Sequence, residues 1–199
     1  MFIGIIKQLK TSLLLMLCLM VLTGMIYPGI VTVIAQLLFP CKANGSLVQY
    51  HGKIIGSEFI GQNFVAAENF WGRPSAARGF PYNELGSSGS NQGPSNPRFL
   101  TVVQKRLQNL QLHNPDMQQP VPIDLVTASG SGLDPEISPL AALYQVPRIA
   151  KARNISETEL NALVRKFIRK RTFMIFGEPR INVLELNLAL KDRYAGTAP

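Results

Sequence analysis

The sequence predicts an α+β domain carried on one N-terminal membrane-spanning helix. Three observations predict it. No charged residue stands between Lys10 and Lys42, a gap of 31 positions. Beyond Lys42 the chain turns polar and rich in Gly, Pro, Ser and Asn, with short runs of strand character. Its last third then carries repeated helix-start signals.

The apolar stretch comes first. Leu13-Leu-Leu-Met-Leu-Cys-Leu-Met-Val-Leu22 is almost unbroken hydrocarbon. A spanning helix needs roughly 20 such residues, because each adds about 1.5 Å across a core roughly 30 Å thick. Residues 12–34 meet that length. A cleavable leader would have a shorter apolar core and a small-residue cleavage site, and no Ala-x-Ala pattern follows here. A buried helix of a soluble core would keep a polar face, whereas Leu13 to Leu22 is apolar all round. Pro28 removes one helical hydrogen bond, which predicts a kink near Met25. Residues 1–11 then form a short leading segment, 35–42 a connector, and 43–199 the soluble domain. Direction is not set by charge: Lys7 and Lys10 precede the span while Lys42 and Lys53 follow it.

In the soluble part, Ser46 to Tyr50 and Lys53 to Gly56 read as a hairpin across His51-Gly52. From Gly72 to Pro97 runs a stretch dense in Gly, Pro, Ser and Asn. So long a loop inside a compact domain is functional or disordered. Trp71, Phe80 and Tyr82 favour an ordered loop pinned by aromatics. Asn96 as N-cap and Pro97 at the first position open a helix whose Phe99, Leu100, Val103, Leu107 and Leu110 share a face. It stops at Asn114-Pro115.

Pro122 to Ala128 reads as a strand entering the small-residue turn Ser129-Gly-Ser-Gly132. Ser138-Pro139 opens a helix that Val146-Pro147 breaks or restarts. Ser156-Glu-Thr-Glu159 and Asn182-Val-Leu-Glu185 are capping boxes for two further helices, the second running through Leu190.

Charge is uneven. Residues 43–138 hold six basic and seven acidic side chains; residues 139–199 hold eleven and five. The run Arg165-Lys-Phe-Ile-Arg-Lys-Arg171 is predicted as the solvated face of an amphipathic helix, with anionic lipid headgroups as its fitting partner and nucleic acid disfavoured. Cys18 and Cys41 lie in or beside the span, so residues 42–199 contain no thiol and no internal disulfide framework.

Catalytic signatures are missing from the sequence. It contains no phosphate loop; Gly56-Ser-Glu-Phe-Ile-Gly-Gln62 lacks the required lysine. His51 and His113 stand apart from each other and from the cysteines, which disfavours a metal centre. A nucleophile at Ser129 or Ser131 would need a base that neither histidine's surroundings supply. The most suggestive string is Ser129, Gly130, Ser131 and Gly132, whose backbone amides could cradle an anion; as an ordinary turn it would use its glycines for positive φ.

The ordered strings add a resemblance. Gly24-x-x-Tyr27-Pro, Ala43-Asn-Gly-Ser46, Gly56-Ser-x-x-Ile-Gly-Gln-Asn-Phe64, Gly72-Arg-Pro-Ser75, Pro81-Tyr-Asn83, Gly89-Ser-Asn91 and Ser95-Asn-Pro97 stand in the first half. Val126-Thr-Ala-Ser129, Gly132-Leu-Asp134, Ile137-Ser-Pro139, Gln145-Val-Pro-Arg-Ile-Ala-Lys-Ala-Arg-Asn154 and Val183-x-Glu-Leu-Asn187 follow in order. The chain resembles the C subunit of the Kdp-type potassium-transporting ATPase. It departs at Ser88, where a glycine is expected, and at Gly130, where alanine or serine is usual.

The resemblance implies an α+β extracytoplasmic domain on a single-pass helix in the cell inner membrane, its N-terminus cytoplasmic and residues 43–199 periplasmic. It implies three partners: a channel-like potassium-translocating subunit, a P-type ATPase subunit that hydrolyses ATP, and a small membrane peptide. This chain would be a non-catalytic accessory subunit, a catalytic chaperone raising the ATP affinity of the ATPase subunit. Ser129 to Gly132 is then the nucleotide-contact candidate, with ATP held only in a transient complex. The implied topology puts the domain across the membrane from ATP, so coupling through partner subunits, or a lid or clamp on the translocating subunit, is the alternative.

Overall fold

The N-terminal apolar stretch is helical throughout in the computed structural model, which describes residues 2–115, 117 and 119–194, with backbone alone at Phe2 and Ile3. Helix α1 covers Phe2–Val21, a π-helical turn covers Leu22–Ile26, and α2 covers Tyr27–Leu38. Gly4–Leu38 is long and apolar enough to cross a membrane, and its window of greatest hydropathy is unburied. The helix therefore runs past both ends of the expected 12–34 span and into the expected connector. The disturbance foreseen near Met25 takes the form of the π turn. Pro28 offers no N–H, and the backbone just before it shifts to an i→i+5 pattern in which Tyr27 N donates to Leu22 O. A four-residue helix, α3 (Pro40–Ala43), follows. The chain divides into two compact units, Met1–Leu47 and Val48–Pro199.

The expected hairpin follows α3, as β1 (Leu47–Tyr50) and β2 (Lys53–Ser57). His51 and Gly52 both take positive φ, 48° and 75°, as a two-residue reverse turn requires. Helix α4 (Pro97–His113) starts as expected, with Asn96 accepting from Arg98 N at 2.9 Å. Leu110 is its one fully buried residue; Val103 and Leu107 pack on the core, while Leu100 stays exposed.

Strand β3 (Glu136–Ile137) pairs antiparallel with β4 (Ile181–Asn182), bringing the chain ends of α5 (Pro139–Arg153) and α7 (Val183–Arg193) together. Helix α6 (Glu157–Lys166) packs on α5. The core is built from Ala141, Tyr144, Val146 and Ile149 of α5, Leu160, Leu163 and Val164 of α6, and Leu186 and Leu190 of α7. Phe70, from the irregular segment that follows β2, is fully buried among them.

Several expectations are corrected. Residues 122–128 are not a strand: Ile123–Leu125 is a 3-10 turn, and Thr127 N and Oγ1 both close onto Ile123 O. Asp124 Oδ2 accepts from Ser138 N at 2.7 Å, fixing the turn against the start of α5. Pro147 does not break its helix. Val146, Ile149 and Ala150 are buried on both sides of it, and that burial outweighs the roughly 3 kcal/mol cost of an internal proline. Both capping boxes are half-formed. Ser156 and Asn182 cap from the front, but Glu185 reaches Arg169 instead of the cap backbone. Phe80 is exposed, so Trp71 and Tyr82 do the pinning. The C-terminal helix continues to Arg193; Ala195–Pro199 of the expected domain lie outside the described residues.

Candidate functional site

The long loop after β2 is held by side chains from the helical third. Gln145 and Asn187 each grip one residue of it as a neighbouring β-strand would. Gln145 Oε1 accepts from Trp71 N at 2.8 Å and its Nε2 donates to Trp71 O at 3.1 Å. Asn187 Oδ1 accepts from Phe70 N at 2.8 Å and its Nδ2 donates to Phe70 O at 2.9 Å. Arg148 donates to the carbonyls of Ala67 and Asn69 and to Gln145 Oε1, with its guanidinium 4.1 Å from the Trp71 ring centroid. Arg153 donates to Glu68 O at 2.7 Å. Burial lowers the Arg148 pKa to about 10, opposed by the charge of Glu68. The buried polar groups thus satisfy irregular backbone that could not otherwise be buried.

A second web ties the glycine-rich segment to the turn at 129–134. Ser75 Oγ accepts from Tyr82 N and donates to Gly132 O at 2.7 Å. Tyr82 OH donates to Arg73 O, and Arg73 pairs with Asp134 at 3.0 Å. Burial pushes the Tyr82 phenol up to about 12, reinforced by the Asp134 charge and opposed by Arg73. Gly61 and Gly72 lie so close to Tyr82 that a Cβ on either would strike the ring or hydroxyl, at 2.3 and 2.6 Å.

The four candidate residues sit inside this web. Ser129 and Gly132 are buried, whereas Gly130 and Ser131 are exposed. Gly132 N donates to Ser129 Oγ at 2.9 Å, and Leu133 N to Ser131 Oγ at 3.1 Å. Ser131 O accepts from Ser88 N at 2.9 Å and Ser87 Oγ at 3.0 Å. One of the four candidate amides, that of Gly132, is therefore occupied within the chain, as is the next amide, that of Leu133. Of the two glycines only Gly132 takes positive φ, 69°. The two sequence departures are accommodated: a side chain at 130 meets open space, and the crowded position is Gly89, whose Cβ would lie 2.8 Å from Gly130 O.

Between this web and α4 lies a cleft of about 320 Å³ lined by Trp71, Arg73, Tyr82, Arg106, Asn109 and His113. Arg106 Nη1 donates to Val126 O at 3.0 Å, and burial lowers its pKa. His113 hydrogen-bonds Asn109 O and stacks edge-on against Trp71 at 5.1 Å. His51, the other histidine, lies against Tyr50 at 4.1 Å. Among the described residues, no three His, Cys, Asp or Glu side chains converge to hold a metal ion.

The basic run is not one helix face. Helix α6 ends at Lys166, and Arg169 and Arg180 form an antiparallel bridge that starts a second hairpin. Arg169 bonds Glu58 at 2.7 Å and Glu185 at 2.6 Å. Burial opposes its charge, but these two carboxylates outweigh it and raise its pKa. Sequence reasoning missed three things: the Gln145 and Asn187 grips, the structural use of Arg148 and Arg169, and the hairpin tip Phe173 to Phe176. The tip had a signal, four large apolar residues in a row between Arg171 and Glu178 at no helical or strand spacing.

These features define an α+β domain whose buried polar side chains hold its own loops, following a helix of membrane-spanning length. The family model described as K+-transporting ATPase, c chain (KdpC) matches residues 9–192, and the chain belongs to that family. It is 52% identical over 185 residues to the potassium-transporting ATPase KdpC subunit of Methylococcus capsulatus, covering 93% of this chain and 97% of that protein. It is 51% identical over 174 residues to the protein so named from Paraburkholderia phytofirmans, covering 87% and 91%. With that of Burkholderia mallei it shares 52% over 172 residues, covering 86% and 89%.

Proposed function

We propose that this chain is the non-catalytic accessory subunit of an ATP-driven potassium uptake complex. It is held in the inner membrane by Gly4–Leu38, N-terminus cytoplasmic and domain periplasmic. Its partners are a channel-like translocating subunit, a P-type ATPase subunit and a small membrane peptide. The domain acts as a preformed docking body, a lid or clamp on the translocating subunit. Any effect on ATP affinity reaches the ATPase subunit as coupling free energy through the assembly. The observation that carries this reading is the internal use of the polar groups. Gln145, Arg148, Arg153 and Asn187 hold the loop backbone, and the amides of Gly132 and Leu133 are closed by the turn's own hydroxyls.

A second reading is the catalytic chaperone, in which Ser129 to Gly132 meets ATP in a transient complex with the ATPase subunit. The exposed Gly130–Ser131 edge is what favours it. One experiment separates the two. With Cys18 and Cys41 replaced by serine, Leu85→Cys, on a 93% exposed side chain, is labelled in intact cells by a membrane-impermeant maleimide. External labelling, with co-purification of partner subunits and no ATPase activity in the chain alone, is the expected result. Labelling only after lysis would sink the periplasmic assignment and restore direct ATP contact. A chain that co-purifies with no partner would sink the accessory-subunit reading.

A further inference from the structure

The hairpin Arg169–Arg180 is rigid at its base and bare at its tip. Arg169 N donates to Arg180 O at 2.8 Å and Arg180 N to Arg169 O at 3.0 Å. Glu58 and Glu185 fix Arg169, and Glu136 fixes Arg180 at 2.9 Å. Further out, Thr172 and Phe176 exchange two backbone bonds of 2.9 Å, closing a tight turn. At that turn Phe173, Met174, Ile175 and Phe176 are 81, 86, 71 and 65% exposed. Elsewhere in the described part of the domain, exposed large apolar side chains never run four in sequence.

The turn is also conformationally unfavourable. Phe173 and Met174 both have positive φ, 52° and 63°, the pair of positions where Asn-Gly is the usual choice. A bulky side chain there is strained, and such strain persists where function requires it. Nothing within the fold compensates, because these side chains point into solvent. Exposed cations precede the tip along the chain: Lys170 and Arg171 on the hairpin itself, and Arg165 and Lys166 at the end of α6. Glu178 offsets Arg171 alone.

We propose that Phe173 to Phe176 is an interfacial peg that enters the headgroup layer of an anionic bilayer, with the preceding cations facing lipid phosphates. An apolar cluster with a basic collar is the pattern of interfacial membrane binding. A protein pocket would bury the apolar side chains but leave the cations without a role. The proposal rests on the anchored reading above. Given the anchor, insertion is intramolecular, so a peg too small to hold a free protein at a membrane is sufficient here.

The test uses the full chain reconstituted into vesicles of phosphatidylcholine with about one third phosphatidylglycerol. Phe173→Trp and, as a second variant, Phe176→Trp are compared with wild type, which has the single Trp71. Lipids brominated near the headgroup should quench the added emission, because an interfacial side chain sits at that depth. Leu85→Trp, on an exposed side chain outside the hairpin, should not respond. Lys170→Ala should lower the insertion equilibrium constant, the ratio of inserted to free tip, roughly fivefold in these vesicles, the weight of one cation near an anionic surface. Retention after alkaline carbonate washing with no quenching at either tip position would overturn the peg alone. Tip emission that shifts only when the partner subunits are co-reconstituted would also overturn it, assigning the tip to a protein contact. A chain that washes off would overturn the anchored reading and the proposal with it.

Discussion

Two irregular segments of four residues, Glu68 to Trp71 and Phe173 to Phe176, solve the same backbone problem in opposite ways. In the first, peptide groups that make no ladder are served by side chains more than 70 positions away. In the second, the turn closes on itself and its side chains are left outward. Where side chains serve the backbone, the segment is structural. Where a strained backbone displays apolar side chains to solvent, the segment faces something outside the fold.

The comparison breaks most sharply at Arg148. Arg148→Ala removes the charged donors to the carbonyls of Ala67 and Asn69 and to Gln145 Oε1, together with the guanidinium packed on the Trp71 ring. The domain should lose about 3–4 kcal/mol, read as a lower urea midpoint for the full chain in detergent. Loss of less than 1 kcal/mol would mean that the strap is not held this way. Gly61→Ala should cost about 2–3 kcal/mol, because its Cβ would meet the Tyr82 ring at 2.3 Å and Asp134 O at 2.7 Å.

Tyr82 links the web to pH. Its phenol is neutral in both states below pH 10. Between pH 10 and about 12 the unfolded chain releases that proton first and so binds fewer protons than the native state. Stability should therefore fall by about 2 kcal/mol as pH rises through that window. Tyr82→Phe should flatten the fall, as followed by urea midpoints at pH 9 and 11. An unchanged slope would remove Tyr82 from the account.

The smallest effect has the opposite sign. Phe173→Asn with Met174→Gly suits the turn and should stabilise the isolated chain by about 1 kcal/mol, read from the same urea titration. A destabilised variant would mean that the tip packs on the fold after all.

Local signals were enough for much of this chain. The uncharged gap announced the long helix, Asn96-Pro97 the start of α4, and His51-Gly52 the first hairpin. Each rests on residues a few positions apart, where propensity, capping and φ act directly. The candidate turn was legible as a turn, but the fate of its carbonyls was not: their partners, Ser75, Ser87 and Ser88, lie more than 40 positions upstream.

Tertiary structure decided the rest. Residues 122–128 have strand-like composition but take a 3-10 turn, fixed where Asp124 meets Ser138. Pro147 remains helical because burial on both sides outweighs the missing hydrogen bond. Arg169 looked like one charge in a solvated run, yet Glu58 arrives from 111 positions away to hold it. Sequence alone determined the helix of membrane-spanning length and where most helices begin, because those depend on neighbours along the chain. Which polar residues hold loops, and which apolar ones stay bare, depends on partners that only folding brings within 3 Å of one another.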